Sequence, residues 1–367
     1  MSSNSSTIWK LEPHTKAKHE ILENYLKAWI PIMSKNSGRI IYLDGFAGPG
    51  IYEGTEIGSP IIAMKTADEH TLKRMIHEIV FLFIEKEKDR CAKLNEVIAE
   101  RFPDLDDKLF YQIICAEFAP ALEQILQDIE SDNAKLAPTF AFLDPFGYSG
   151  FPLKLIARLM ENKKCEVLIT FMVKFINRFT IDLQEPILNE LFATEDWKKV
   201  HELNDPEEKR RFLLELYKNQ LIKVGGIRHV RSFEMVDKQN QTVYYLVFGT
   251  KHSLGLKVMK DAMWKVDKRG TYTFSDITDV NQKFLIDFQS PQWVSTAAKM
   301  VHNHFKGRTV SEKDVREYVI TETNYRYQKK ILKYLEKDCK PSKINNVNGR
   351  TRNDFSFPDG CEISFSD

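Results

Sequence analysis

Apolar positions along the first 270 residues switch repeatedly between two spacings. Behind Pro13, the residues Ile21, Leu22, Tyr25, Leu26, Trp29 and Ile30 recur at three- and four-residue intervals, which predicts an amphipathic helix that packs on an apolar surface. Short, almost wholly apolar runs follow at Ile40–Asp44, Glu78–Glu85, Phe110–Cys115, Pro138–Asp144 and Cys165–Phe171. Their length and their Ile, Val and Phe content predict strands buried on both faces. Helical spacing returns between them at Ser59–Met75, Asp89–Arg101, Pro120–Ser131 and Leu153–Asn162. Strand–helix alternation of this kind predicts a parallel sheet with helices on both faces. A mainly helical stretch over Asp182–Val224 then leads into Ile227–Val236 and Thr242–Thr250, joined by the polar turn Asp237-Lys238-Gln239-Asn240-Gln241. Those two runs predict an antiparallel hairpin that closes the sheet.

After Gly270 the pattern changes. Three helical stretches, at about Val294–Phe305, Ser311–Val319 and Asn324–Lys337, precede two short strand candidates at Asp354–Phe357 and Glu362–Phe365. The expectation is an α/β chain of two domains. Residues 1–270 would form a Rossmann-like, doubly wound, mostly parallel sheet with an antiparallel terminal hairpin. Residues 271–367 would form a winged-helix-like domain in which Asn324-Tyr325-Arg326-Tyr327-Gln328-Lys329-Lys330 opens the recognition helix. A helical cap that packs on the first domain or on another protein is the alternative.

Composition narrows the class. A chain of 367 residues with 43% apolar residues and a net charge of +1 has the length for two globular domains and no global bias towards an acidic or basic partner. No segment is apolar for long enough to span a bilayer, and Met1–Thr7 lacks the pattern of a signal peptide, so no membrane association is expected. Cys91, Cys115, Cys165, Cys339 and Cys361 are widely spaced and contain no C-x-x-C pair. They predict reduced thiols in a cytoplasmic protein, with neither a metal site nor a disulfide framework. The charge is uneven, however. Lys251–Gly270 holds six Lys/Arg against two acids, and Tyr325–Arg352 holds nine against two. Such stretches interleaved with Tyr and Trp suit a phosphate backbone, whereas lysines that merely solvate a helix face are the plainer alternative. Contact with DNA or RNA is favoured for the C-terminal stretch.

The candidate chemistry lies at the strand ends, where open α/β sheets bind their ligands. The first strand runs into Asp44-Gly45-Phe46-Ala47-Gly48-Pro49-Gly50, a loop with glycines spaced G-x-x-G-x-G. Glycine there lets the backbone approach a ligand and take positive φ. The spacing differs from the G-x-G-x-x-G of a dinucleotide site, which makes a nicotinamide-dependent enzyme the weaker reading. It resembles the first motif of S-adenosylmethionine-dependent methyltransferases, in the form common among those that methylate nucleic-acid amines. On that resemblance Asp44 would meet the methionyl end of the cofactor. Glu85, ending the second strand, would accept both ribose hydroxyls, and Glu117, after the third, would reach the adenine amine. Any one acid is equally a strand cap; the series in order favours a cofactor site. Asp44 and Glu85 are 41 positions apart, about twice the ~20 usual in a compact nucleotide-binding unit. The extra loop carries Tyr52, a candidate aromatic lid, and Ser59, a candidate helix cap ahead of Pro60 that also borders the cofactor.

Asp144-Pro145-Phe146-Gly147 ends the fourth strand. Methyl transfer to an amine needs its lone pair aimed at the methyl group, and a carboxylate plus a proline carbonyl accepting the amine hydrogens achieve that. Amino-methyltransferases commonly present Asp/Asn-Pro-Pro-aromatic here, with the aromatic stacking on a flipped base. In this chain Phe146 replaces the second proline and Gly147 the aromatic, so Phe146 or Tyr148 would do the stacking. The variant is similar to the Asp-Pro-Phe/Tyr-Gly of tRNA guanine-N2 methyltransferases. Lys174 and Arg178 follow the fifth strand and are candidates for a phosphate. His14, Lys18 and His19 on the first helix are candidates for the cofactor mouth, with a structural role the alternative for each histidine.

Taken together, Trp9-Lys10-Leu11-Glu12-Pro13-His14-Thr15-Lys16-Ala17-Lys18-His19, Tyr42–Gly50, Gly58-Ser59-Pro60, Asp144–Gly147 and Phe248-Gly249-Thr250-Lys251-His252 resemble the three-Cys-motif partner (TcmP) family over essentially the whole chain. That resemblance implies a prokaryotic protein of class I methyltransferase type, encoded beside a three-cysteine, radical-SAM-like partner. The expected function is S-adenosylmethionine-dependent methylation of a nucleic-acid base at an amino nitrogen. Asp44, Gly45, Phe46, Ala47, Gly48, Gly50, Tyr52, Ser59, Glu85 and Glu117 would serve the cofactor, and Asp144, Pro145, Phe146 and Tyr148 the acceptor. The alternative is a catalytically silent scaffold that binds the radical-SAM-like partner or nucleic acid.

Overall fold

The computed structural model of the protein describes residues 10–173, 184–267, 271–276, 292–338, 342–345, 353–358 and 360–366. The chain divides into two compact units, Met1–Ala262 with Thr273–Thr278, and Met263–Tyr272 with Asp279–Asp367.

The first unit opens with helix α1 (Pro13–Ser34), followed by β1 (Ile40–Asp44), α2 (Ser59–Asp68), β2 (Ile79–Glu85), α3 (Lys88–Arg101), β3 (Leu109–Cys115), α4 (Phe118–Ser131), β4 (Thr139–Leu143), α5 (Leu153–Glu161) and β5 (Cys165–Phe171). Two helices, α6 (Glu185–Phe192) and α7 (Pro206–Lys223), lead to the hairpin β6 (His229–Val236) and β7 (Thr242–Thr250), then α8 (Ser253–Val266), whose residues from Met263 onward belong to the second unit, and the short β8 (Thr273–Ser275) of the first. The eight strands form one sheet in the order β3-β2-β1-β4-β5-β7-β6-β8. Strands β1 to β5 are parallel, whereas β7 enters antiparallel between β5 and β6. This is the Rossmann-like, doubly wound sheet with a closing antiparallel hairpin that the alternation predicts. Strand β8 adds parallel to β6 and is a three-residue addition that the apolar pattern did not signal.

The period of two along each strand sorts the two faces. Leu43, Ala141, Leu143, Val167, Ile169 and Phe171 join a core with Leu122 and Leu126 of α4, Ile156 of α5, Leu188 of α6 and Tyr217 of α7. On the opposite face Tyr42 packs 6.1 Å from Phe81 and 6.2 Å from Phe140, by ring centroids. Helix α1 lies over that face as its spacing predicts: the Tyr25 ring sits 4.9 Å from Phe140 and 5.3 Å from Phe248. Tyr25 also donates its hydroxyl to Glu166 Oε2 at 2.5 Å, and Thr250 donates to Oε1 at 2.6 Å. Burial is the main reason that the Glu166 carboxyl titrates above its ordinary value.

Some local expectations are corrected. Helix α2 ends at Asp68 rather than running to Met75, because the His70 ring accepts the Leu72 N–H at 3.0 Å and turns the chain; only a short 3₁₀ turn follows, at Lys73–Met75. Ser59 does not cap that helix. Gly58 occupies the cap position, with its N–H on Gly50 O at 2.8 Å, and Ser59 is the first helical residue. Cys91 and Cys115 are joined by a disulfide, against the expectation of reduced thiols. Parallel pairing sets Cys115 beside Glu85, and α3 starts just after Glu85, so residues distant in sequence come within 6.1 Å between Cα atoms.

The second unit contains α9 (Gln292–Phe305), β9 (Thr309–Ser311), α10 (Glu312–Glu322), α11 (Lys330–Asp338), β10 (Ser342–Asn345) and β11 (Glu362–Phe365). Its strands form a three-stranded antiparallel sheet in the order β10-β11-β9. Ser311 and Asp314 close a reciprocal capping box on α10. Two strand and helix boundaries move. Residues 354–357 form a turn, with Ser356 N–H on Asn353 O at 3.1 Å, and the missed strand is the polar β10. The segment from Asn324 does not open a helix, which begins at Lys330. Instead Tyr325 stacks on Trp293 at 6.2 Å, and the Arg326 guanidinium sits 5.2 Å from the Trp264 ring.

Removing the Tyr25 hydroxyl should show how firmly α1 is tied to the sheet. Tyr25→Phe leaves the buried Glu166 carboxyl short of one donor and is expected to cost about 1–3 kcal/mol. Chemical denaturation checks this; an unchanged midpoint would mean the bond adds nothing to stability.

Candidate functional site

Strand order reverses between β1 and β4, so the chain leaves their carboxyl ends in opposite directions and opens a crevice there. Parallel register brings Asp44 opposite Phe142, and Asp144 follows β4 by one residue, so both acids stand at the same edge. Glu85 ends β2 on the other side of β1.

The loop after β1 is built around close approach. A Cβ on Gly45 would sit 2.7 Å from Leu143 and Phe118, and one on Gly58 3.1 Å from the Gly50 backbone. Gly48 has φ +63° and Gly50 φ +77°, the left-handed region that favours glycine. A Cβ on Gly48 would meet nothing within 4 Å, unlike one on Gly45, Gly50 or Gly58. Glu85 fastens the loop: its Oε2 accepts the Gly48 N–H and its Oε1 the Glu87 N–H, both at 2.9 Å. Each carboxylate oxygen keeps a lone pair for a further donor such as a ribose hydroxyl. Ala47 is buried and donates its N–H to Ile84 O at 2.9 Å. Phe46 is half-buried, its ring 5.3 Å from Phe118 and 6.4 Å from Phe151, which ties the loop to the core.

Asp44 is fully buried and accepts the Phe46 N–H at 3.3 Å and the Tyr42 hydroxyl at 3.2 Å. Burial is the largest cause that pushes its carboxyl from an ordinary 3.8 up to about 7, with hydrogen bonds from Ser59, Phe46 and Tyr42 opposing and Asp144 adding to the rise. Ser59 thus acts as a side-chain donor to Asp44. Tyr52 is half-buried with its ring 5.6 Å from His19, and an isolated bridge between Ile51 and Ile57 closes its loop. Burial pushes the His19 imidazole down to about 3, with the neighbouring Lys18 adding to the effect. That ring is neutral at ordinary pH. Glu117 stands just ahead of α4, exposed and without a side-chain cap bond, beside the edge strand β3.

Asp144 carries an ion pair that the sequence pattern did not single out. The Lys18 ammonium of α1 meets Asp144 Oδ2, and the same Nζ lies 5.2 Å from the Tyr244 ring centroid. Tyr244 donates its hydroxyl to His14 O at 3.1 Å, and His14 Nδ1 lies 3.1 Å from Asp276 Oδ2. The run Pro13–His19 thus makes three contacts: His14 with Asp276 and Tyr244, Lys18 with Asp144, and His19 with Tyr52. Spacing along α1 hinted at this, since Lys18 lies on the helix face that carries Leu22 and Tyr25; Tyr244 and Asp276 gave no such signal. The Pro145 carbonyl accepts the Gly147 N–H at 3.1 Å in a tight turn, with Gly147 at φ +119°. Phe146 is 71% exposed at the tip of that turn, and the Arg90 guanidinium sits 5.9 Å from its ring. Tyr148 packs half-buried against the core. Lys174 and Arg178 lie outside the described residues.

No family model and no curated protein matches the sequence. Solved structures similar to it are S-adenosylmethionine-dependent methyltransferases. One is PKMT2 from Rickettsia typhi in complex with AdoHcy, at 8% identity and a TM-score of 0.28, covering 87% of this chain and 73% of that one. Another is a SAM-dependent methyltransferase from Methanosarcina mazei, at 11% identity and a TM-score of 0.23, covering 58% of this chain and 92% of that one. At these scores the likeness is loose, and the TcmP resemblance remains one of motifs.

The titration of Asp44 has a measurable sign. Its folded pKa of about 7 lies above the ordinary 3.8, so its stabilising protonated form is complete at low pH and is lost as pH rises from about 4 through about 7. Asp44→Asn stays neutral throughout. Melting temperatures are therefore expected to favour the variant over the native protein more at pH 8 than at pH 5. A constant difference would show that Asp44 is ionised in the folded protein across that range.

Proposed function

We propose that the protein is an S-adenosylmethionine-dependent methyltransferase that acts on a nucleic-acid base, at an amino nitrogen. The reading is carried by one arrangement: Asp44, Glu85 and Asp144 at the carboxyl ends of β1, β2 and β4, around a glycine loop that has room for a further atom at the Gly48 Cβ position. The strand order with β7 inserted antiparallel supports it independently. The residues fit the cofactor. Glu85 would accept the ribose hydroxyls while holding the Gly48 amide. Asp44 and the loop backbone would take the amino-acid end, and Glu117 lies at the edge assigned to the adenine. Bound there, S-adenosylmethionine would supply an electrophilic methyl group on sulfur.

The chain's own residues would then orient the acceptor. Asp144 would accept one amine hydrogen, and the second lone pair of the Pro145 carbonyl the other, which aims the nitrogen lone pair. Phe146, exposed at the turn, offers a face on which a base can stack. The second unit supports a substrate of this kind. Its sequence of helix, strand, two helices and two strands suits a winged helix, and Lys330, Lys333 and Lys337 are exposed along α11, with Lys329 exposed just ahead of it. A three-cysteine radical-SAM-like protein is the partner implied by the motifs.

A silent scaffold is favoured by one observation: Lys18 already occupies Asp144 Oδ2. Transfer of labelled methyl groups from S-adenosylmethionine to total RNA and DNA separates the readings. The expected result is labelling of a nucleic-acid pool that Asp144→Ala lowers at least a hundredfold, on the scale of losing a positioning group. Labelling that survives in Asp144→Ala would remove this carboxylate from the reaction.

A further inference from the structure

Lys18 has no role in the reaction as just described, yet it is one of the most constrained side chains at the crevice. It is only 4% exposed, and its ammonium is held between Asp144 Oδ2 and the face of Tyr244. A buried ammonium is costly unless paired. Here its partner is the carboxylate assigned to the acceptor amine, and the oxygen it holds is compromised for that task.

The chemistry of the proposed cofactor supplies a reason for the cation. Its amino-acid tail is a zwitterion. Asp44 and the loop backbone are assigned to the ammonium, but the tail's carboxylate needs a positive partner of its own in so acidic a crevice. Among the described residues, Arg90 and Lys18 stand against the acids of this edge. Arg90 lies 4.0 Å from Glu85 and reaches over Phe146, on the side of β2 assigned to the ribose. Lys18 lies on the side of β1 and β4, where the amino-acid tail would end. Its flexible four-carbon stem allows the ammonium to pivot while the stem stays packed.

We propose that Lys18 is the receptor for the cofactor's carboxylate, exchanging Asp144 for it when the cofactor binds and thereby freeing Asp144 for the acceptor amine. The inference rests on the methyltransferase reading and extends it: the same exchange reconciles the Lys18–Asp144 ion pair with an Asp144 that holds the acceptor amine. Lys18 is a positioning residue in this scheme, and it makes cofactor binding the step that opens the acceptor site.

Calorimetric titrations with S-adenosylmethionine and with decarboxylated S-adenosylmethionine test it, using the native protein, Lys18→Met and Lys18→Arg. The two ligands share adenosine, sulfonium and ammonium and differ only in the carboxylate. The native protein is expected to prefer S-adenosylmethionine by about tenfold or more, the scale of a charged hydrogen bond. That preference should vanish in Lys18→Met and return in Lys18→Arg. Because the readout is a ratio of affinities in one preparation, a general loss of stability moves both ligands alike and leaves it unchanged. An equal preference in the native protein and Lys18→Met would overturn the assignment while leaving the methyltransferase reading intact. Failure of the folded native protein to bind either ligand would overturn both.

Discussion

The crevice between β1 and β4 exists because neighbouring parallel strands send their chains away in opposite directions, and the chemistry of the first unit depends on that divergence. Where strand order reverses, no helix can close over both strand ends at once, and the sheet leaves a gap at its carboxyl edge. This chain lines the gap with acids. It then fills one side with a glycine loop, tied to Glu85, and the other with the opening turns of α1. The aromatic contacts of Tyr25 with Phe140 and Phe248 fix α1 across the sheet, and that placement is what delivers Lys18 to Asp144. Packing on one face of the sheet thus sets the electrostatics at its edge.

The acids are not equivalent, and their surroundings explain why. Asp44 is sealed beneath Tyr42, Phe46 and Ser59, so that burial outweighs its hydrogen bonds and raises its pKa to about 7. Glu85 is nearly as buried but spends both oxygens on backbone amides. Asp144 is balanced by an ammonium. A ligand that carries a sulfonium, an ammonium and a carboxylate would find a complement to each charge among these groups. Buried charges arranged in this way stabilise a fold weakly and fit a binding site better.

Much of this was legible in the sequence because it follows from period and position. Alternating apolar runs gave the five parallel strands to within a residue or two, and the carboxylates that end them fell at one edge as a direct result. The glycine spacing identified the loop, and the positive φ at Gly48 and Gly50 is its physical content. What stayed hidden depends on side chains meeting across long separations. Lys18 reaches Asp144 over 126 positions, and His14 reaches Asp276 over 262. The Cys91–Cys115 pairing needs the parallel register of β2 and β3 before it can be seen. The packing of the Phe46 ring on Phe118 and Phe151 likewise joins residues far apart in the sequence. In the second unit, the aromatic cluster around Trp293 holds Tyr325 and Arg326 in a turn, and local helical spacing carries no trace of that. Strand β10, Ser342-Lys343-Ile344-Asn345, has a single apolar residue, so no apolar run announces it.

The central claim is that this edge of the sheet holds S-adenosylmethionine through Glu85. Isothermal titration of the purified protein with S-adenosylmethionine, with Glu85→Ala measured alongside, tests it most directly. The account predicts micromolar binding that the substitution abolishes. A well-folded native protein that takes up no heat of binding, or a Glu85→Ala variant that binds as tightly, would contradict it.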